Sequence, residues 1–123
     1  MQFSVSHDTE AGWDYVFVEA HNVGQNNWTT LKDENGNTTQ DTGLSCPSFP
    51  ITAIHPQLAS YMTYTGPATP SGDPADCTPT GTTGEWWGST GNSGGFKKWN
   101  VTIPPAMVAA GPVEVSISYF GDV

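Results

Sequence analysis

Arginine is absent from this 123-residue chain, and its cations are Lys32, Lys97 and Lys98 alone, against twelve Asp and Glu. The resulting formal net charge of -9 excludes the usual nucleic-acid footprint, because phosphate contacts need clustered cations that release counterions. It also disfavours an anionic membrane surface. Leucine is almost as scarce, occurring only at Leu31, Leu44 and Leu58, and 36% of the residues are hydrophobic. Aromatic rings must therefore supply much of the interior: five Trp, five Phe and four Tyr can each bury roughly 150–250 Å². No apolar run approaches the roughly 18 residues of a spanning helix, and no charged-then-apolar leader is present. At this length one core is expected and a second is not.

Fourteen glycines and ten prolines favour short strands joined by many turns over long helices. Two cysteines, Cys46 and Cys77, are an even count in a chain of extracellular character, and they read as one disulfide. A structural zinc fits poorly, since no second Cys pair or His pair accompanies them. Three Asn-X-Thr sequons, at Asn27, Asn37 and Asn100, are compatible with exposed loops and have consequences only in a glycosylating host.

Period-2 alternation marks the strands. Phe3 and Val5 alternate with Ser4 and Ser6; Trp13 to His21 places Val16, Val18 and Ala20 on one face and Tyr15, Phe17 and Glu19 on the other. The Gly- and Asn-containing run 22–27 and the returning Trp28–Leu31 complete a first hairpin. Residues 32–43 read as a polar surface loop, and residues 54–61 have room for one short helical turn bounded by prolines. Residues 73–95 are loop-like. A strand over Phe96–Ile103, a turn through Pro104-Pro105 and Gly111-Pro112, and the clearest alternation of all, Val113 to Tyr119, close the chain. The expected fold is all-β, an antiparallel, jelly-roll-like β-sandwich with long disulfide-tied loops, a small barrel being the alternative. One domain over residues 1–123, cut at both ends from a longer secreted chain, is the expected organisation.

The run Asp8-Thr9-Glu10-Ala11-Gly12-Trp13-Asp14-Tyr15-Val16-Phe17-Val18-Glu19, then Trp28-Thr29-Thr30-Leu31, resembles a MAM-like accessory domain attached to secreted bacterial metallopeptidases of the immune inhibitor A and zinc carboxypeptidase types. Thr42 to Pro47, His55 to Leu58, Cys77, Gly81 to Trp86 and Thr90 to Phe96 follow in the same order, so the resemblance covers nearly the whole chain. Two positions depart from it: His7, where Tyr is more usual, and Trp87, where a small or polar residue is usual. The resemblance implies a non-catalytic module, with the parent peptidase's catalytic domain as its partner and further strands beyond both ends.

The chemistry-bearing residues agree with a non-catalytic role. His7-Asp8-Thr9-Glu10 has the His-x-x-Glu spacing of a zinc pair, but His21 and His55 stand on a strand end and in the disulfide loop, and no His-Glu-x-x-His occurs. No Gly-x-Ser-x-Gly elbow is present either. Asp8, Glu10 and Asp14 flank one loop-to-strand junction, and Asp122 follows the last strand, which in a jelly roll can return beside the first. Such a set suits a structural calcium ion, whose six to eight oxygen ligands need no rigid spacing; the alternative is solvated loop carboxylates. In an aliphatic-poor chain Trp13, Trp28, Trp86 and Trp99 are expected in the core. Trp87, facing opposite to Trp86, is the candidate for stacking on a glycan, with a protein ligand as the other possibility. Unpaired edge strands would also permit self-association.

Overall fold

The computed structural model describes residues 1–44, 46, 51–65 and 77–121. Asp122 and the polar stretch 66–76 lie outside the described residues. The elements are β1 (Gln2–Val5), β2 (Tyr15–Asn22), β3 (Thr29–Thr30), α1 (Ile51–Ile54), a 3-10 turn (Pro56–Ser60), β4 (Thr63–Tyr64), β5 (Cys77–Thr78), β6 (Ser89–Thr90), β7 (Lys97–Asn100), α2 (Pro105–Ala110) and β8 (Val113–Phe120). A β-rich fold with a few short helices is what the turn-rich, alternating sequence requires. No helix among the described residues is long and apolar enough to cross a membrane.

The organising element is β2. It pairs along its full length with β8, from Tyr15↔Phe120 to Asn22↔Val113, and its other edge is shared by β3 (Glu19↔Thr30) and β6 (Val16↔Ser89). All of these pairings are antiparallel, and the β2–β3 hairpin expected from the Asn- and Gly-containing turn is present. A second sheet pairs β1 with β7, Phe3 opposite Trp99. A third, small pairing joins β4 to β5 within the cysteine-closed region.

Because β2 has neighbours over both faces, its two side-chain rows enter different interiors, and the expectation of a single core is corrected. Val16, Val18 and Ala20 pack with Val5, Leu31, Trp99, Val101 and Met107, so this layer lies between β2 and the β1–β7 pair. Tyr15 and Phe17 pack on the opposite side with Trp86, Phe120, Leu58, Tyr61, Met62 and both cysteines. The first layer is mainly aliphatic and the second mainly aromatic, which is how few leucines suffice for two interiors. With both faces covered, β2 is the strand most protected from water, seven of its eight residues being buried.

Two local readings also change. The Pro104–Pro112 segment is a helix rather than a turn: Pro105 opens α2, where a missing N–H costs nothing, and Gly111 ends it. The 32–43 segment contains a buried carboxylate, Asp33, at 0% exposure. Its Oδ1 accepts N–H bonds from Asn35 and Asn100 (3.2 and 2.7 Å), and its Oδ2 accepts the backbone and side-chain N–H of Asn37 (2.8 and 2.7 Å). The Asn100 bond crosses to β7 and fastens the loop to the second sheet. Burial pushes the Asp33 carboxyl up, but the bonds from Asn100, Asn37 and Asn35 outweigh it and hold the group below its ordinary value of 3.8.

A carboxyl held low in the folded state stabilises the fold fully above its unfolded value. That stability is lost as pH falls through 3.8 and on through the lower folded value. Asp33→Asn exchanges two of these acceptor positions for a donor group. We expect a loss of about 2–3 kcal/mol near neutral pH and an acid limb of the stability curve flatter than in the parent. Urea unfolding at about pH 7 and about pH 3 measures both. A variant as stable as the parent at the higher pH would show the loop to be held by other means.

Candidate functional site

The acidic junction ahead of β2 is held together by hydroxyls and backbone. Thr90 Oγ1 donates to the Asp14 carbonyl (2.6 Å) and accepts the Gly12 N–H (3.0 Å), while Thr9 Oγ1 accepts the Gly91 N–H (2.9 Å). Trp13 and Asp14 N–H groups both donate to the Glu10 carbonyl. Asp8 forms an isolated bridge to Asn92. The loop is thereby closed on the 89–93 segment by polar contacts that leave the Asp8 and Glu10 side chains exposed.

Asp14 is the half-buried member, and its Oδ1 is buried with no hydrogen-bond partner among the described residues. Gly121 lies against it: a Cβ there would stand 3.3 Å from this oxygen. The last strand thus does return to the junction, bringing the chain neighbour of Asp122 to Asp14, while Asp122 itself is outside the described residues. Among the described residues no three His, Cys, Asp or Glu side chains come together as an ion-binding group.

The three histidines stand apart, and each is bonded to a carbonyl. His7 Nδ1 donates to Gly91 O (2.7 Å), His21 Nδ1 to Gln25 O (2.7 Å) and His55 Nε2 to Gly121 O (2.7 Å). A carbonyl oxygen only accepts, so each of these nitrogens bears the proton. The His21 ring also stacks on Trp28 at 3.7 Å, nearly parallel, with Glu114 Oε1 3.5 Å from Nε2. His7 Nε2 meets Ser89 Oγ at 2.9 Å, a Ser–His contact that reading along the chain missed because 82 residues separate the partners. Two clefts, of about 450 and 340 Å³, are lined by other residues: Thr29, Thr83 and the Thr80–Glu85 turn for one, and Asn22, Asn27 and α2 for the other.

The tryptophan doublet divides as alternation predicts. Trp86 is fully buried and Trp87 is half-buried. The Trp87 ring carries the Lys32 ammonium 5.0 Å from its centroid, and its backbone N–H donates to Thr30 Oγ1 at 2.7 Å. Its indole Nε1 is buried and without a hydrogen-bond partner among the described residues. One face of this candidate stacking platform is thus already occupied by a cation. No family model, no curated protein and no solved structure matches this chain. The site must be judged on its own geometry.

A polar contact set on the aromatic face of β2 also escaped sequence reasoning. Tyr61 Oη donates to Glu19 Oε2 (2.5 Å) and Ser118 Oγ to Glu19 Oε1 (3.0 Å), so a carboxylate on the aromatic face of β2 is satisfied by the 3-10 turn and β8. Burial first, and the bond to Glu19 second, push the Tyr61 hydroxyl far above its ordinary range. Burial and the Asp41 charge do the same to Tyr15. Both phenols remain neutral at any physiological pH, which suits packing and not proton transfer. The only sequence signal was Glu19 itself, an acid in an otherwise apolar alternation. The Cys46–Cys77 disulfide is formed, with both residues buried in the aromatic layer.

Proposed function

We propose that this chain is a non-catalytic accessory β-sandwich module of a secreted zinc metallopeptidase, serving to stabilise and orient the catalytic domain beside it. The observation that supports the non-catalytic part is that the three histidines stand at separate places in the fold and that none of them lines either cleft. A general base needs a free ring nitrogen facing a substrate. His21 stacks on Trp28 with Glu114 Oε1 3.5 Å from its Nε2, and the His55 ring lies against Phe120. His7 has its second nitrogen on Ser89, away from the residues that line the two clefts. A buried disulfide supports an oxidising, extracellular setting. The peptidase partner is supported by the resemblance of sequence segments between Asp8 and Phe96, in the same order, to such modules, and the sandwich reading by the two sheets that share the aliphatic layer.

Antibody raised against this domain should precipitate, from the medium of the producing cells, a polypeptide whose peptidase activity disappears with a zinc chelator and returns with zinc. A precipitate without such activity refutes the peptidase assignment while leaving the histidine argument to stand.

A further inference from the structure

Asn35 is the only asparagine of the chain that is followed by glycine. At such a pair the backbone nitrogen of Gly36 can attack the Asn35 side-chain amide, because residue 36 has no Cβ to shield it. The fold itself imposes the pair. Gly36 has a φ of 82°, a left-handed conformation that other residues rarely adopt, and Asn35 supplies the amide that donates to Lys98 O at 2.9 Å. Both residues are exposed, so water and base reach them. Yet the two nitrogens that the reaction needs are held: the Gly36 N–H donates to Asp33 O (3.3 Å) and the Asn35 amide to β7. On either side, the backbone N–H groups of Asn35 and Asn37 donate to the Asp33 carboxylate (3.2 and 2.8 Å). That carboxylate also accepts the Asn100 N–H at 2.7 Å, which seats the loop on β7.

We propose that Asn35-Gly36 is a latent deamidation site, closed while Asp33 clamps the 33–37 loop on β7 and reactive when the clamp releases. In the open loop the Gly36 nitrogen bonds to Asn35 Cγ and gives up its proton to solvent base. The Cγ–Nδ2 bond breaks, and Nδ2 leaves as ammonia after taking a proton from water. Water then opens the cyclic imide, at Cγ to give aspartate at position 35 or at the backbone carbonyl to give isoaspartate there. Water is the only co-reactant, and no atom is oxidised or reduced.

The product cannot reseat as the parent loop does. A carboxylate at position 35 has no hydrogen to donate to Lys98 O, and it adds negative charge beside Asp33 in a chain whose net charge is already -9. Isoaspartate does more. It routes the main chain through Cγ and so lengthens it by one carbon between the Asn35 and Asn37 N–H groups, which bond the same carboxylate. An opening that ends in reaction is thereby fixed in the covalent structure, and the Asp33–Asn100 tie between loop and sheet is what it loosens.

The test follows the amide-to-acid mass change at position 35 by peptide mapping of the whole chain in mildly alkaline buffer, with isoaspartate counted by enzymatic methylation. Reaction through a minor open state should run about tenfold or more slower in the folded protein than in the chain unfolded by guanidinium with its disulfide intact. Asp33→Asn, which removes the clamp, should speed the folded-state reaction about tenfold or more. Asn37→Ala removes one side-chain bond to Asp33 and leaves the backbone in place; it should speed the reaction by a smaller factor, and it decides the matter where Asp33→Asn does not fold. The aged parent should lose hydrogen-exchange protection at the Asn100 amide, whereas Asn35→Ser should be unchanged by ageing. Equal rates in the folded and unfolded chain, a folded-state rate that neither variant raises, or an Asn100 amide as protected in the isoaspartate form as in the parent each overturns the proposal.

Discussion

Trp86→Ala should cost about 3–5 kcal/mol of unfolding free energy, the range found for truncating a large buried aromatic. The indole is fully buried, with ring centroids 5.6 Å from Tyr15, 5.1 Å from Phe17 and 5.8 Å from Phe120. It joins β2, β8 and the 77–90 segment in one contact set, so the cavity left behind has walls on three elements and cannot collapse onto one. Its Nε1 donates to Asp41 O at 3.0 Å, but Asp41 is exposed and its carbonyl can take water instead. Trp86→Phe should accordingly cost much less, about 1–2 kcal/mol. Gly88 provides a second check. A Cβ there would collide with the Trp86 ring, so Gly88→Ala in the parent should be destabilising, and in Trp86→Ala nearly neutral. Urea unfolding followed by circular dichroism measures all four variants against the parent. A loss below about 1.5 kcal/mol for Trp86→Ala would mean that the aromatic layer relaxes around the gap.

The same residues show how far the fold is legible in the sequence. Tyr15–Asn22 and Val113–Phe120 are regular alternations long enough to stand out, and they are the two strands that pair over their whole length. β4, β5 and β6 have two residues each, too few for any period to register, whereas the equally short β3 is legible through the Asn- and Gly-containing turn before it. The α2 helix is hidden for a similar reason: Pro-Ala-Met-Val-Ala-Ala buries only Met107, so it has no stripe, and only its proline start and glycine stop distinguish it from a turn. The two interiors were written in the opposite rows of β2, valine and alanine on one side and tyrosine and phenylalanine on the other. Composition argued for one core because it counts side chains without saying on which face they fall.

At the candidate site, what could be read was placement and what could not was partnership. A last strand returning to the Asp14 junction follows from the antiparallel β2–β8 pairing, and the unequal burial of Trp86 and Trp87 follows from the alternation of an extended segment. Asp8 and Glu10 look like partners of Asp14 in sequence, yet the Thr9 and Thr90 hydroxyls close their loop and leave both side chains in solvent. Asp33 is the reverse case. In sequence it is one acid in a polar run; in the fold its Oδ1 reaches the Asn100 N–H across 67 residues. Long-range hydrogen bonds have no period, and a single chain offers no pattern from which to infer them.

Removing the Cys46–Cys77 disulfide should cost about 3–4 kcal/mol, because the cross-link closes a separation of 31 residues and constrains the unfolded chain accordingly. Cys46→Ala/Cys77→Ala is the informative variant, since serine would add the burial of two hydroxyls at positions that are 0% and 3% exposed. For a domain of this size the loss corresponds to a melting temperature roughly 15 °C lower. The effect should not be uniform. The cysteines anchor the aromatic layer with Leu58, Tyr61 and Met62, and Cys77 pairs with Tyr64 in the β4–β5 ladder, whereas among the described residues the aliphatic layer contains no part of the cysteine-closed region. Amides of β4, β5 and the 3-10 turn should therefore lose hydrogen-exchange protection before those of β1 and β7. Simultaneous loss in both groups would show instead that β2 couples the two layers into a single cooperative unit. A reduced protein as stable as the oxidised one would remove the cross-link from the account of stability altogether, and leave the fit of Trp86, Phe17 and Phe120 as what holds this layer.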